Sequence, residues 1–230
     1  MHPDEIFGGY PWFRNEQILN LPTFPWANNN SYRASFLKPE ILHEINAEEF
    51  IQSRYFETIN ETSLLSDLTD SQRRMKEVTN LNLKWFGQTL LERKDRMSTY
   101  AGLQARVPFC DYRIVEYLYS VPWEMKNYQG REKGLLRHAV IGLLPDDVLW
   151  RKKSPYPKTH NPEYLNIVSK ELKQVIDNPQ SPLLKFAQKK ALENLLQNEN
   201  RVPWYGQLMT VPQTIAYFLQ VNYWLQKHNL

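Results

Sequence analysis

Pro39–Ile59 reads PEILHEINAEEFIQSRYFETI, and its apolar residues Ile41, Leu42, Ile45, Phe50, Ile51 and Phe56 recur at helical intervals. That spacing marks one face of an α-helix, whereas a half-buried strand alternates every second residue. Pro39 suits a first helical position, where its missing N–H has no intrahelical partner. One nearly continuous helix is predicted over the segment. Leu64, Leu68, Met75, Val78, Leu81 and Trp85 carry the pattern into a second long segment, with Asp70, Arg73, Arg74, Lys76 and Glu77 on its other faces. The two are predicted to pair.

Outward from there the chain stays helical. Asp111 is predicted to cap a helix over Arg113–Ser120 that Pro122 stops, and Glu132–Leu143 reads as a helix ended before Pro145. Glu163–Ile176 and Phe186–Leu196 are amphipathic, and Pro212 followed by Ile215, Phe218, Leu219 and Leu225 marks a terminal helix. Strand-type alternation is hard to find. Leu21–Asn30 and Arg151–Pro162 are rich in proline or asparagine and read as loops, and no repeat appears. Residues 1–230 are expected to form a single, mainly α unit.

Composition narrows the function. With 42% hydrophobic and 23% charged residues the chain is an ordinary globular one, so disorder is not expected. A net charge of +3, with no basic block free of acids, gives no signal for nucleic acid or a membrane surface but leaves small anionic ligands open. The lone Cys110 excludes an intramolecular disulfide and fits a reducing compartment. No stretch approaches the roughly 20 apolar residues of a membrane span, and no basic-then-apolar leader opens the sequence. A cytoplasmic protein is the expectation.

Three clusters could carry chemistry. DEIFGGY, from Asp4 to Tyr10, sets two carboxylates against a diglycine in a chain with 8 glycines. Gly8 and Gly9 suit positive φ or a close backbone approach. Asp4 and Glu5 either hold a hard cation such as Mg2+, which shares oxygen ligands with phosphates, or place acids in a helix's first turn. In DRMSTYAGLQARVPFCD, Asp95–Asp111, a helix gives way at Gly102 and Pro108. There Arg96 and Arg106 either grip a carboxylate or phosphate, or pair with Asp95 and Asp111 to fix the junction, and the pairing is the expectation. In GREKGLLRHA, Gly130–Ala139, Lys133 and Arg137 stand one helical turn apart; as an isolated segment this reads as a solvated basic face. There is no G-x-G-x-x-G, Walker loop, G-x-S-x-G or Cys-x-x-Cys, and the histidines lack metal-ligand spacing.

Taken in order, DEIFGGY, DRMSTYAGLQARVPFCD, a proline-bounded helix, GREKGLLRHA, Leu144-Pro145 and RKKSPYP from Arg151 resemble the glutamine-dependent asparagine synthetases. The resemblance runs from the first residues to about Pro162. It implies the helical carboxyl-terminal portion of an α/β synthetase domain of the ATP-pyrophosphatase type, whose parallel sheet belongs largely to other sequence. The family's glutaminase domain, with its amino-terminal cysteine, and its S-G-G-x-D-S pyrophosphate loop have no counterpart here. Met1-His2-Pro3 stands where the family has a Ser-Gly stretch containing an acid, so a fragment is expected.

What the resemblance implies for residues is specific. Asp4 matches the family aspartate associated with Mg2+ and pyrophosphate, and Lys133 a lysine that meets the phosphates. Glu5, Gly8, Gly9 and Arg106 match family positions where local architecture is an equal reading. Gln104 departs from a frequent Glu, and Cys110 from a larger apolar residue. The implied parent reaction amidates aspartate with ATP and glutamine-derived ammonia through an aspartyl-adenylate. The fragment alone is expected to be inactive, with weak ATP binding and exposed apolar area that favours self-association or a homo-oligomer. A related amide-forming enzyme of the β-lactam synthetase type, or a helical interaction module without chemistry, are the alternatives.

Overall fold

The structure is a computed structural model that describes residues 4–27, 29–64, 66–152, 161–197, 203–205 and 209–230. It is mainly α, as the periodicity predicts. The principal helices are α1 (Pro39–Ile45), α2 (Ala47–Asn60), α3 (Asp70–Leu81), α4 (Gln88–Tyr100), α5 (Tyr112–Ser120), α6 (Gly134–Ala139), α7 (Pro162–Asp177), α8 (Lys189–Gln197) and α9 (Val211–Lys227). Among the described residues, strand pairing is confined to one isolated antiparallel bridge, Leu37 with Ala187. No helix among them is long and apolar enough to cross a membrane.

The chain divides into two compact units, Met1–Pro25 with Gln52–Lys153, and Trp26–Ile51 with Ser154–Leu230. In the first, α3 and α4 are joined without a break by a π-helical turn at Asn82–Gly87. Thr69 opens α3 with a reciprocal capping box: its hydroxyl accepts from Gln72 N while the Gln72 side chain accepts from Thr69 N. This places the helix start at Asp70, later than the apolar pattern from Leu64 suggested. The end of α2 pairs with this rod through polar side chains. Arg74 donates to Tyr55 OH (2.9 Å), Asn80 Nδ2 to Thr62 Oγ1 (3.0 Å) and Trp85 Nε1 to Thr58 Oγ1 (3.0 Å).

The single helix predicted over Pro39–Ile59 is two. Asn46 closes α1 in the left-handed region at φ 41°, a conformation that asparagine tolerates better than most residues, and α2 restarts at Ala47. The helix predicted from Phe186 likewise starts at Lys189, since Phe186 and Gln188 are drawn into the bridge: Lys38 N donates to Phe186 O (2.9 Å) and Gln188 N to Phe36 O (2.8 Å).

The second unit has a conventional apolar core, in which Phe36, Leu172, Ile176, Leu183, Leu192 and Ile215 are buried together where α7, α8 and α9 meet. Each full burial contributes about 1.5–3 kcal/mol before chain entropy is charged against it. Buried Asn222 on α9 accepts from Ser181 Oγ (2.9 Å) and Leu183 N (3.3 Å), so the turn before α8 is tied to the core by polar contacts that a sequence pattern does not show. Most of the loop predicted at Arg151–Pro162, residues 153–160, lies outside the described residues.

Candidate functional site

DEIFGGY is a buried turn, not the opening of a helix, and all of Asp4–Tyr10 is shielded from solvent. Ile6 and Phe7 anchor it by packing with Leu118 of α5. Gly9 N donates to Asp4 O (2.9 Å), which closes the turn on itself. Both glycines are required by their neighbours. Gly8 has φ +67°, and a Cβ there would fall 2.2 Å from the Trp123 ring. At Gly9 a Cβ would fall 1.8 Å from Asp4 Oδ1. Gly9 therefore makes room for the aspartate's own carboxylate, and Gly8 for the Trp123 ring.

That carboxylate meets Lys133. Lys133 Nζ lies 3.1 Å from Asp4 Oδ1, with side-chain exposures of 16% and 7%. The pair joins residues 129 positions apart in sequence, and it forms because Lys133 is not in the helix predicted over Glu132–Leu143. It is the N-cap of the shorter α6, at φ 57° and ψ 36°. A left-handed backbone costs a lysine about 1–2 kcal/mol, which the surrounding structure sustains. Gly134 follows it with no room for a Cβ, 2.4 Å from Tyr128 O. The solvated basic face is thus overturned. Arg137 points elsewhere, donating to the carbonyls of Glu132 (2.9 Å), Arg151 (3.0 Å) and Leu149, and so clamps the chain that follows α6.

Glu5 sits beneath the pair and has a different role. It is fully buried, its Oε1 accepts from Tyr10 OH (2.7 Å), and burial raises its pKa so that the uncharged form is favoured. Asn82, the first residue of the π-helical turn and fully buried, donates from Nδ2 to Glu5 O (3.3 Å). Among the described residues, Glu5 Oε2 and Asn82 Oδ1 are buried acceptors without a hydrogen-bond donor. Glu5 is therefore a poor cation ligand, and of the two acids Asp4 is the one suited to a metal. Among the described residues no group of three or more His, Cys, Asp or Glu is placed to hold a metal ion. A hard cation bound here would rely on Asp4 and on phosphate and water oxygens, the usual habit of Mg2+.

Arg14, which the sequence reading passed over, supports the turn. Its guanidinium donates to Gly8 O (2.9 Å) and through two nitrogens to Asn127 Oδ1 (3.2 and 3.1 Å), and it lies 5.9 Å from the Trp123 ring centroid. Burial lowers its pKa while Glu132 and Asp4 oppose that shift, which places its positive charge within reach of both acids. No motif announced it, because its partners are a carbonyl and a distant asparagine.

The junction cluster is arranged otherwise than expected. Asp111 does cap α5, accepting from Arg113 N (3.0 Å), but its ionic partner is Arg113, whose hydrogen bonds hold its carboxyl near a pKa of about 2. Arg96 approaches Glu92 (3.9 Å) one helical turn away, and Arg106 donates to Gln104 Oε1 (2.9 Å) on an exposed segment. The anticipated pairs with Asp95 and Asp111 are not made, because near neighbours along the backbone capture both guanidiniums first. Arg106 is not joined to Asp4 and Lys133, whereas Gly8 and Gly9 are part of their turn. Cys110 is half-buried with its thiol pKa raised by burial, the behaviour of a packing residue.

A buried aspartate–lysine pair held by a diglycine turn, inside a mainly helical scaffold, defines the candidate site. The family model for asparagine synthase matches residues 3–226. The chain belongs to the asparagine synthase family. It is 45% identical over 230 residues to asparagine synthetase [glutamine-hydrolyzing] 3 of Bacillus subtilis (strain 168), covering 99% of this chain and 37% of that protein. Asparagine synthetase [glutamine-hydrolyzing] 1 of the same organism is 37% identical over 73 residues, 32% of this chain and 12% of its own length. The human asparagine synthetase [glutamine-hydrolyzing] is 42% identical over 67 residues, 28% of this chain and 12% of its own. The chain thus spans little more than a third of the first of these relatives.

Proposed function

We propose that this chain supplies the pyrophosphate-facing part of a synthetase that amidates aspartate with ATP and glutamine-derived ammonia, Asp4 and Lys133 being its working residues. The observation that carries this reading is the convergence of those two side chains at 3.1 Å in a buried turn built around Gly8 and Gly9. In the reaction an aspartate carboxylate oxygen attacks the α-phosphorus of ATP, the bond to pyrophosphate breaks, and ammonia then displaces AMP from the acyl carbon.

An anion attacking a polyanion needs positive charge in place beforehand. The Lys133 ammonium carries three donors, of which one side faces Asp4; in this reading the remaining donors meet phosphate oxygens as charge builds on the leaving pyrophosphate. Its left-handed backbone and the pair with Asp4 fix that ammonium before substrate arrives. Mg2+, when bound through Asp4 together with phosphate oxygens, would add charge neutralisation and Lewis acidity. Burial raises the Glu5 pKa and so disfavours a second negative charge in the turn.

The test uses the full-length synthetase containing this chain. Aspartate-dependent pyrophosphate release falls roughly 10²- to 10³-fold in Lys133→Met and in Asp4→Asn, the loss typical of one preorganised charge, while hydrolysis of glutamine continues. Release that persists in both variants overturns the reading. The 230-residue chain on its own is predicted to release no pyrophosphate and to bind Mg-ATP weakly, as calorimetric titration will report.

A further inference from the structure

A second basic site lies in the first unit, where α3 passes the end of α5 and the short helix Trp123–Lys126. Lys126 is 5% exposed; among the described residues no carboxylate is paired with its ammonium, whose nitrogen keeps some access to the cavity and is not sealed from solvent. It lines a cavity of about 100 Å³ together with half-buried Lys76. Lys76 Nζ is turned toward the same wall, donating to Tyr119 O (2.9 Å) and lying 4.6 Å from the Tyr119 ring centroid. Among the described residues that line this cavity there is no aspartate or glutamate. Its other walls are largely apolar, among them Leu68, Met75, Val121 and Trp123, with Gln72 and Thr79 as further polar groups.

Burying an unpaired ammonium is costly, and placing a second cation beside it makes it more so. Proteins retain such an arrangement where an anion completes it. We propose that Lys126 and Lys76 form a binding site for a small organic carboxylate, its charged end between the two ammoniums and its short apolar end against Met75 and Trp123. The volume limits the ligand to a few heavy atoms. The mixed wall favours a carboxylate over a fully hydrated inorganic anion, which would leave apolar surface facing its oxygens.

Burial and the Lys76 charge lower the Lys126 pKa to about 8, and an anion reverses both effects, so binding near that pH draws a proton onto Lys126. The remaining titratable group in the wall is Tyr119, whose pKa burial raises, leaving it neutral across that range.

Isothermal titration of the protein with sodium propionate at constant ionic strength, pH 8, tests this. The expected result is saturable 1:1 binding whose heat varies with the ionisation enthalpy of the buffer, weakened at least tenfold in Lys126→Met and in Lys76→Gln. Lys76→Gln is the control should Lys126→Met not fold, since Lys76 is the more exposed of the two. Binding that does not saturate, that is unchanged in Lys76→Gln, or that shows no proton uptake overturns the proposal. So does sodium phosphate competing with propionate on equal terms, which would mean an unselective cation pair.

Discussion

Gly9 and Asp4 occupy each other's space: any side chain at Gly9 would start 1.8 Å from Asp4 Oδ1. Gly9→Ala must therefore push the carboxylate away from Lys133. The expected cost is about 1–3 kcal/mol, as for other overpacked interiors, read as a lowered urea midpoint with unchanged slope. The Gly8 position is equally closed, by Trp123 and by its φ of +67°, so Gly8→Ala is expected to cost at least as much.

Lys133 carries two separable contributions, its charge and its strained backbone. Lys133→Gly relieves the left-handed strain while losing the charge; Lys133→Ala loses the charge and keeps the strain. Urea denaturation should find the glycine variant the more stable by about 1 kcal/mol, the reverse of the usual order next to a helix. Asp4→Asn leaves the Lys133 ammonium buried and unpaired and should cost about 3 kcal/mol. Combining Asp4→Asn with Lys133→Met should recover part of that loss, giving a favourable coupling energy in the double-mutant cycle.

Glu5 predicts a pH dependence of opposite sign to that of a paired carboxylate. Burial raises its folded pKa, so the fold retains a proton that the unfolded chain releases above about 4.3. The stability this group contributes is full below that pH and declines as pH rises through the folded value. Glu5→Gln keeps an acceptor for Tyr10 OH and carries no charge. Its unfolding midpoint should exceed that of the parent at pH 7.5, with the difference shrinking toward pH 4.5. A constant difference across that range would show that Glu5 is ionised in the fold.

Large apolar side chains stand exposed at the end of α4 and just beyond it, with Tyr100 95% exposed and Met97 and Leu103 about two-thirds exposed. Tyr112 and Tyr117 on α5 are exposed to a similar degree. Contiguous exposed apolar area favours association. Sedimentation velocity over a hundredfold concentration range should show a rising mean mass, reduced in a Tyr100→Ser, Leu103→Ser variant. A single monomeric boundary at every concentration would contradict this.

Helical content was legible because apolar spacing is a local property, set by 3.6 residues per turn and independent of what the helix packs against. It could not show where helices stop. Asn46 and Lys133 end or start helices through a single left-handed residue, and neither changes the hydrophobic period. The extra turn of π-helix at Asn82–Gly87 is equally silent in sequence, although it aims Asn82 at Glu5.

The order of its motifs by itself indicated this protein's family and drew attention to Asp4, Glu5, the diglycine and Lys133 as residue types suited to the chemistry proposed above. Tertiary structure alone decided how they divide the work. Asp4 and Glu5 are adjacent in sequence, yet one faces an ammonium and the other, fully buried, a phenol. Charge state depends on solvation and on partners brought from far along the chain, as Lys133 and Arg14's partner Asn127 are. The Lys76–Lys126 pair follows the same rule: two ordinary surface-type residues in sequence become an anion-seeking site only when folding withdraws their water.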